Sequence, residues 1–205
     1  MSLPKPKEIH FTLHPQQHYV SEIAQRLDIE TKMLYHPYAT DTCHQKARLL
    51  QQTHPQEQWV PARVVKALYG VVCWEYYGFI IPEIERRLDL ETLAHTFSCA
   101  KLEPPVNKHD FYFTKDEIPK SMESGTCTPF PTTDDMERIA ALFIYDFPSL
   151  DQQMVDISLG GKGEPAHTVS MHLPYGSIYT ILHQQFGEKI RKVHFPQWKG
   201  QETFL

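Results

Sequence analysis

No two cysteines in this chain are spaced as CxxC, and no HExxH occurs. The four cysteines, Cys43, Cys73, Cys99 and Cys127, are scattered, which argues against a zinc ribbon or a thioredoxin-like redox site. Free thiols in a reducing compartment are the simplest reading. Histidine is plentiful at twelve copies, and His10, His14 and His18 have i, i+4 spacing. They stand among proline and glutamine without a ligand motif, so neither a metal nor a cofactor is expected. No apolar run approaches the roughly 20 residues of a membrane helix. Residues 1–7 are polar and proline-rich, unlike a signal peptide. A cytoplasmic location with no membrane partner is the expectation. Positive charge is also sparse: the formal net charge is −5, and the densest basic stretch is Lys189-Ile190-Arg191-Lys192. A DNA-wrapping surface is therefore not expected, and any nucleic acid would be held at a small site.

What is present suits one globular domain. The chain has 205 residues, 41% hydrophobic and 22% charged, enough to build a core. Residues 1–17, with prolines at 4, 6 and 15, read as an N-terminal arm; 18–195 read as one domain, and 196–205 as a tail. Val20, Ile23, Ala24 and Leu27 recur at helical spacing. Residues 32–38 look extended, and Asp41 can cap a second helix with Cys43, Ala47 and Leu50 inward. A hairpin is expected over 64–74 and 78–82, with its turn near 75–78. Asp89 can cap a third helix through Leu90, Leu93, Ala94 and Phe97. Residues 100–135 are irregular, and a long non-periodic stretch in a compact domain is often functional. Strands are expected over 139–145, 154–158, 167–173 and 191–195. Pro174 can start a last helix carrying Ile178, Ile181, Leu182 and Phe186, ended by Gly187. The mixture points to an α+β fold with a curved, barrel-like mixed sheet and surrounding helices.

Lys66 is the only charge in the run Val64-Val65-Lys66-Ala67-Leu68-Tyr69-Gly70-Val71-Val72-Cys73-Trp74. A lysine in a buried strand loses hydration and is costly unless it is paired, neutral or turned into a cleft. That marks it as a candidate functional residue. The structural alternative is a stem lying on the sheet with its ammonium in water.

Three other segments bear on it. Gly125-Thr126-Cys127-Thr128-Pro129 is a GxxxP loop, where glycine allows close backbone approach and proline stiffens the chain. Loop N–H groups held this way can receive a carbonyl or an oxyanion. Asp156-Ile157-Ser158-Leu159-Gly160-Gly161 is a strand ending in a glycine turn, followed by His167-Thr168. His167 can offer a hydrogen bond or a proton near neutral pH, or can simply face water at a strand edge. Tyr35-His36-Pro37-Tyr38 is an extended lead-in to the second helix.

In this order, with helices between, the segments resemble the YbaK-like aminoacyl-tRNA editing domains, which include the editing domain of bacterial prolyl-tRNA synthetases and its free-standing relatives. The resemblance runs from about residue 21 to residue 195. It rests on His36-Pro37, Lys66-Ala67-Leu68, Leu88-Asp89-Leu90, the GxxxP loop at 125–129, and Gly160-Gly161 with His167-Thr168. It implies a free-standing trans-editing deacylase that cleaves the ester of a mischarged tRNA. It also implies the tRNA 3′ end as partner, with an aminoacyl-tRNA synthetase as a further one. By position, Lys66 is the implied catalytic or anchoring residue. Gly125, Thr126, Cys127, Thr128 and Pro129 would bind the ester, with His36 beside them. Ser158, Gly160, Gly161 and His167 would line the amino-acid pocket, and a small or polar amino acid (Ala, Ser, Thr or Cys) would suit it. The chain departs from the pattern at Ala67, where many members have Thr. A longer turn also precedes His167. The alternatives are a weak or inactive tRNA- or synthetase-binding module of the same fold, and a hydrolase of another small ester. Cys127 invites a covalent mechanism, but no matched histidine base accompanies it.

Overall fold

The computed structural model describes residues 15–36, 43–53, 55, 64–82, 94 and 108–193. Helix α1 (Pro15–Arg26) starts on a proline, which is suited to the first helical turn because its missing N–H would be unpaired there. Strand β1 (Lys32–Tyr35) and helix α2 (Cys43–Thr53) follow. Strands β2 (Val65–Val72) and β3 (Glu75–Pro82) form the expected hairpin.

The hairpin turn differs from the expectation. It is the two-residue Cys73-Trp74, both at positive φ (49° and 70°), and Gly78 lies inside β3. Gly78 is there because of a close approach. A Cβ on it would stand 2.2 Å from Leu142 Cδ1 and 2.8 Å from the Tyr69 ring. Within the stretch expected to be irregular lie β4 (Phe111–Tyr112) and helix α3 (Thr133–Arg138). Thr132 caps α3 by accepting the Asp135 N–H at 3.1 Å. Strands β5 (Ala141–Tyr145), β6 (Met154–Ser158) and β7 (Val169–Pro174), helix α4 (Tyr175–Phe186) and strand β8 (Ile190–Val193) complete the order. The expected third helix and the Asp41 cap lie outside the described residues, apart from Ala94, which is helical and buried.

The strands make a five-stranded sheet, β4-β2-β3-β5-β8, and a three-stranded one, β1-β7-β6. Pairing is mixed: β2 and β3 are antiparallel, whereas β5 runs parallel to both β3 and β8. A parallel bridge, Val64 to Asp156, joins the two sheets. This is the expected curved mixed sheet with flanking helices. Among the described strands it does not close into a barrel.

Strand alternation sorts the side chains onto two faces. On one face, Val65, Ala67 and Tyr69 of β2 join Val155 and Ile157 of β6, and Val169, Met171 and Leu173 of β7. Ile23 of α1 and Ile178, Ile181 and Leu182 of α4 close over them. Burying each such side chain contributes on the order of 1.5–3 kcal/mol. The other face of the five-stranded sheet carries a second, aromatic cluster built on Phe79, Phe111, Phe143 and Tyr77. Lys66 lies on this second face, one residue out of step with Val65 and Ala67, and its side chain is exposed. The expected loss of hydration is not found, because only the alternate residues of this strand enter the main core.

Candidate functional site

The three-stranded sheet is apolar on its core face and polar on the other. Register places Asp156 opposite His172, and His172 opposite Lys32. The next level pairs Ser158 with Ser170, and Ser170 with Leu34. One step beyond β1, the His36 N–H donates to the Thr168 carbonyl at 3.0 Å, and the His36 side chain is buried. The Val64–Asp156 bridge carries this face onto β2. Ser158 and Lys66 each follow the bridge by two residues, so they project to the same side. Three of the candidate residues, His36, Ser158 and Lys66, thus lie on the same side of the two bridged sheets.

Helix α2 lies against this face through a charged group that periodicity did not single out. Lys46 Nζ stands 2.7 Å from Asp156 Oδ2, and His172 Nε2 stands 3.4 Å from Asp156 Oδ1. All three side chains are about nine-tenths buried or more. Burial pushes the Asp156 carboxyl up, but the Lys46 ammonium and His172 more than offset it, and the net direction is below the ordinary carboxylate value. Ser170 is fully buried, and its hydroxyl has no hydrogen-bond partner among the described residues. The signal for this group was present in the sequence. Polar residues alternate with apolar ones at 156 and 158, and again at 168, 170 and 172.

The GxxxP loop meets the end of β6 from the core side. Tyr69 Oη donates to the Thr128 carbonyl at 2.7 Å. Met122 and Phe130 belong to the main core, and Cys127 packs against it. Lys66 projects from the opposite face of β2. The loop is tied at its start by Ser121 Oγ to the Asp135 carboxylate. It is also tied along its length to the glycine turn. The Gly161 N–H donates to the Ser121 carbonyl at 3.0 Å, and Thr126 Oγ1 donates to the Gly161 carbonyl at 2.7 Å. Thr128 Oγ1 accepts the Phe130 N–H at 3.2 Å. Both threonines are buried, with their hydroxyls engaged inside the protein. Pro129 is buried, and Gly125 is exposed at φ 95°.

His167 lies in a short 3₁₀ turn, Glu164–Thr168, and β7 begins only at Val169. The expected strand start at 167 is corrected here: proline at 165 favours the turn. Gly160 and Gly161 take positive φ, 76° and 93°. Glu123 Oε1 accepts the Gly163 N–H at 2.7 Å and lies 2.9 Å from His167 Nε2. Those two bonds hold the Glu123 carboxyl below its ordinary value. Burial pushes the Cys127 thiol up to about 11. That disfavours the thiolate a covalent mechanism requires. Among the described residues, no group of three His, Cys, Asp or Glu side chains is placed to hold a metal ion. No described helix is long and apolar enough to cross a membrane.

No protein family and no curated protein matches this sequence. Solved structures do match. The crystal structure of a hypothetical protein aligns at a TM-score of 0.54 and 18% identity, over 85% of this chain and 98% of that one. A scaffold protein used for computational epitope grafting aligns at 0.54 and 14%, over 91% and 99%. A protein described as a proposed trans-editing enzyme for prolyl-tRNA synthetase aligns at 0.53 and 14%, over 89% and 98%. At these identities the likeness establishes the fold alone: an α+β domain with the architecture of those solved structures.

Proposed function

We propose that the protein is a trans-editing aminoacyl-tRNA deacylase, hydrolysing the ester between a wrongly attached amino acid and the tRNA 3′ end. The observation that carries the reading is the fold shared with a proposed trans-editing enzyme over 89% of the chain. It is supported by His36, Ser158 and Lys66 on one face of the bridged sheets, while the 125–129 loop and the 160–167 turn reach the end of β6 from the core side. An aminoacyl ester is already activated, so its hydrolysis requires a placed water and a stabilised oxyanion more than a strong nucleophile. Water adds to the ester carbonyl, the C–O bond to the ribose breaks, and the ribose oxygen leaves with a proton. Within the loop the Thr126 and Thr128 N–H groups donate inside the protein and Pro129 has none, so the Gly125 and Cys127 N–H groups would receive the developing oxyanion. The exposure of Lys66 favours anchoring of the anionic tRNA end over direct work on the ester. Ser158 would contact a small or polar amino acid such as Ala, Ser, Thr or Cys. Residues 18–195 would act as one cytoplasmic unit, with the tRNA end as partner and an aminoacyl-tRNA synthetase delivering it.

The test mixes the purified protein, and separately Lys66→Ala, with tRNAs charged with Ala, Ser, Thr, Cys or Pro, and follows the remaining charge. Hydrolysis of at least one of them by the native protein, with a loss of at least about tenfold in Lys66→Ala, is expected. No turnover of any charged tRNA, at protein levels near those of the substrate, would sink the deacylase reading. Binding retained without turnover would point to the tRNA-binding module instead.

A further inference from the structure

Glu123 precedes the GxxxP motif by two residues and belongs to none of the segments that suggested a site. Its carboxylate is nonetheless one of the points where the two loops meet, beside the Gly161–Ser121 and Thr126–Gly161 bonds. Oε1 accepts the Gly163 N–H at 2.7 Å and lies 2.9 Å from His167 Nε2. Beside it, Gly125 leaves room for the imidazole: a Cβ on Gly125 would stand 3.0 Å from His167 Cε1 and 3.2 Å from Nδ1. The ring is therefore packed on the loop backbone and tied through its Nε2. Glu123 and His167 are both partly exposed, with side chains 37% and 24% accessible, and Lys162 adds a positive charge near the carboxylate.

We infer that Glu123 is a positioning residue: with His167 it clasps the 125–129 loop onto the 160–167 turn and fixes the loop backbone for an ester oxyanion. His167 serves the clasp and does not read the amino acid. The catalytic consequence rests on the deacylase reading; the clasp itself does not. The physical reason is that oxyanion stabilisation depends on donors already in place before charge develops. Around Gly125 at φ 95° the chain closes a turn of its own, with the Thr126 N–H donating to the Glu123 carbonyl at 3.0 Å and the Glu123 N–H to Thr126 Oγ1 at 3.1 Å. The bonds from the Glu123 carboxylate and the Thr126–Gly161 bond fix where that turn sits relative to the 160–167 segment.

The experiment uses the full chain with Glu123→Ala and Glu123→Gln. Amide hydrogen exchange is followed by NMR, and deacylation is measured on whichever charged tRNA the native protein hydrolyses. Losing a hydrogen bond to a charged acceptor should raise Gly163 amide exchange by about tenfold or more in Glu123→Ala. The amides of β7 should not change. The same variant should lose about tenfold in kcat with KM within about twofold, because the loop acts on the transition state. Glu123→Gln keeps an acceptor oxygen and should retain most of both. Unchanged Gly163 exchange in Glu123→Ala would overturn the clasp, whatever the activity. Faster exchange with kcat intact would overturn the positioning role. If the native protein hydrolyses no charged tRNA, the deacylase reading and the catalytic role fall together, and the exchange measurement still decides the clasp.

Discussion

Asp156 on β6 and Lys46 on α2 form a 2.7 Å ion pair with both side chains at or below one-tenth exposure. It ties helix α2 to the three-stranded sheet. Removing one partner leaves the other charge buried and uncompensated. Asp156→Ala should therefore cost about 3–5 kcal/mol in urea unfolding. The double change Lys46→Met with Asp156→Leu should cost much less than the sum of the two single changes. A loss under about 1 kcal/mol for Asp156→Ala would show that the pair is solvated in solution.

The same carboxylate sets a pH dependence. Its folded-state value lies below the ordinary 3.8. Such a group contributes stability that is fully present above the unfolded value and is lost as pH falls through the folded one. The stability gap between the native protein and Asp156→Asn should hold at neutral pH and close on acidification below about 3.8. Urea midpoints measured for both proteins from pH 7 downward test this, and a gap that widens in acid contradicts it.

Cys127 and Cys73 should react at very different rates. Burial pushes the Cys127 thiol up to about 11, whereas Cys73 is exposed at the hairpin tip. Alkylation at neutral pH, mapped by mass spectrometry, should label Cys73 at least about tenfold faster. Equal rates would mean that the loop opens readily.

The β2–β3 turn places Cys73 and Trp74 at positive φ, a conformation that two-residue hairpins normally fill with Asn-Gly. Trp74 is 96% exposed, so its side chain gains little from packing. The double substitution Cys73→Asn with Trp74→Gly should stabilise the protein by about 1–2 kcal/mol. Thermal or denaturant unfolding reads this directly. A destabilised variant would show that the indole is held by contacts in solution.

Lys66→Ala removes an exposed side chain and should change stability by no more than about 0.5 kcal/mol. A matched melting temperature therefore lets any loss of deacylation be assigned to the site.

How far the sequence was legible depended on the kind of signal. Helix α4 followed from Ile178, Ile181 and Leu182 at helical spacing, and β5 from an unbroken apolar run. The hairpin turn was misplaced because Cys73-Trp74 carries no turn chemistry, while Gly78 nearby does. That glycine reports the closeness of Leu142, which depends on a strand more than sixty residues away. Whether Lys66 is desolvated or reaches water was open in the sequence, because an apolar run cannot reveal which alternate residues enter the core. That the 125–129 loop and the 160–167 turn lie together was implied by the family resemblance alone, and Glu123, which helps tie them, sits in no motif. The polar face of Asp156, Ser170 and His172 was written in period two, then overshadowed by the glycine turn that follows.

Among the described strands, β1 pairs only with β7, so residues 32–35 find their hydrogen-bonding partner in residues 169–172. During synthesis, at about 5–20 residues per second, β1 waits on the order of ten seconds for that partner. Until then it is a bare strand edge, open to pairing with another chain. The earliest strand to emerge is among the last to be covered, and a product truncated before residue 169 would keep it as a seed for aggregation.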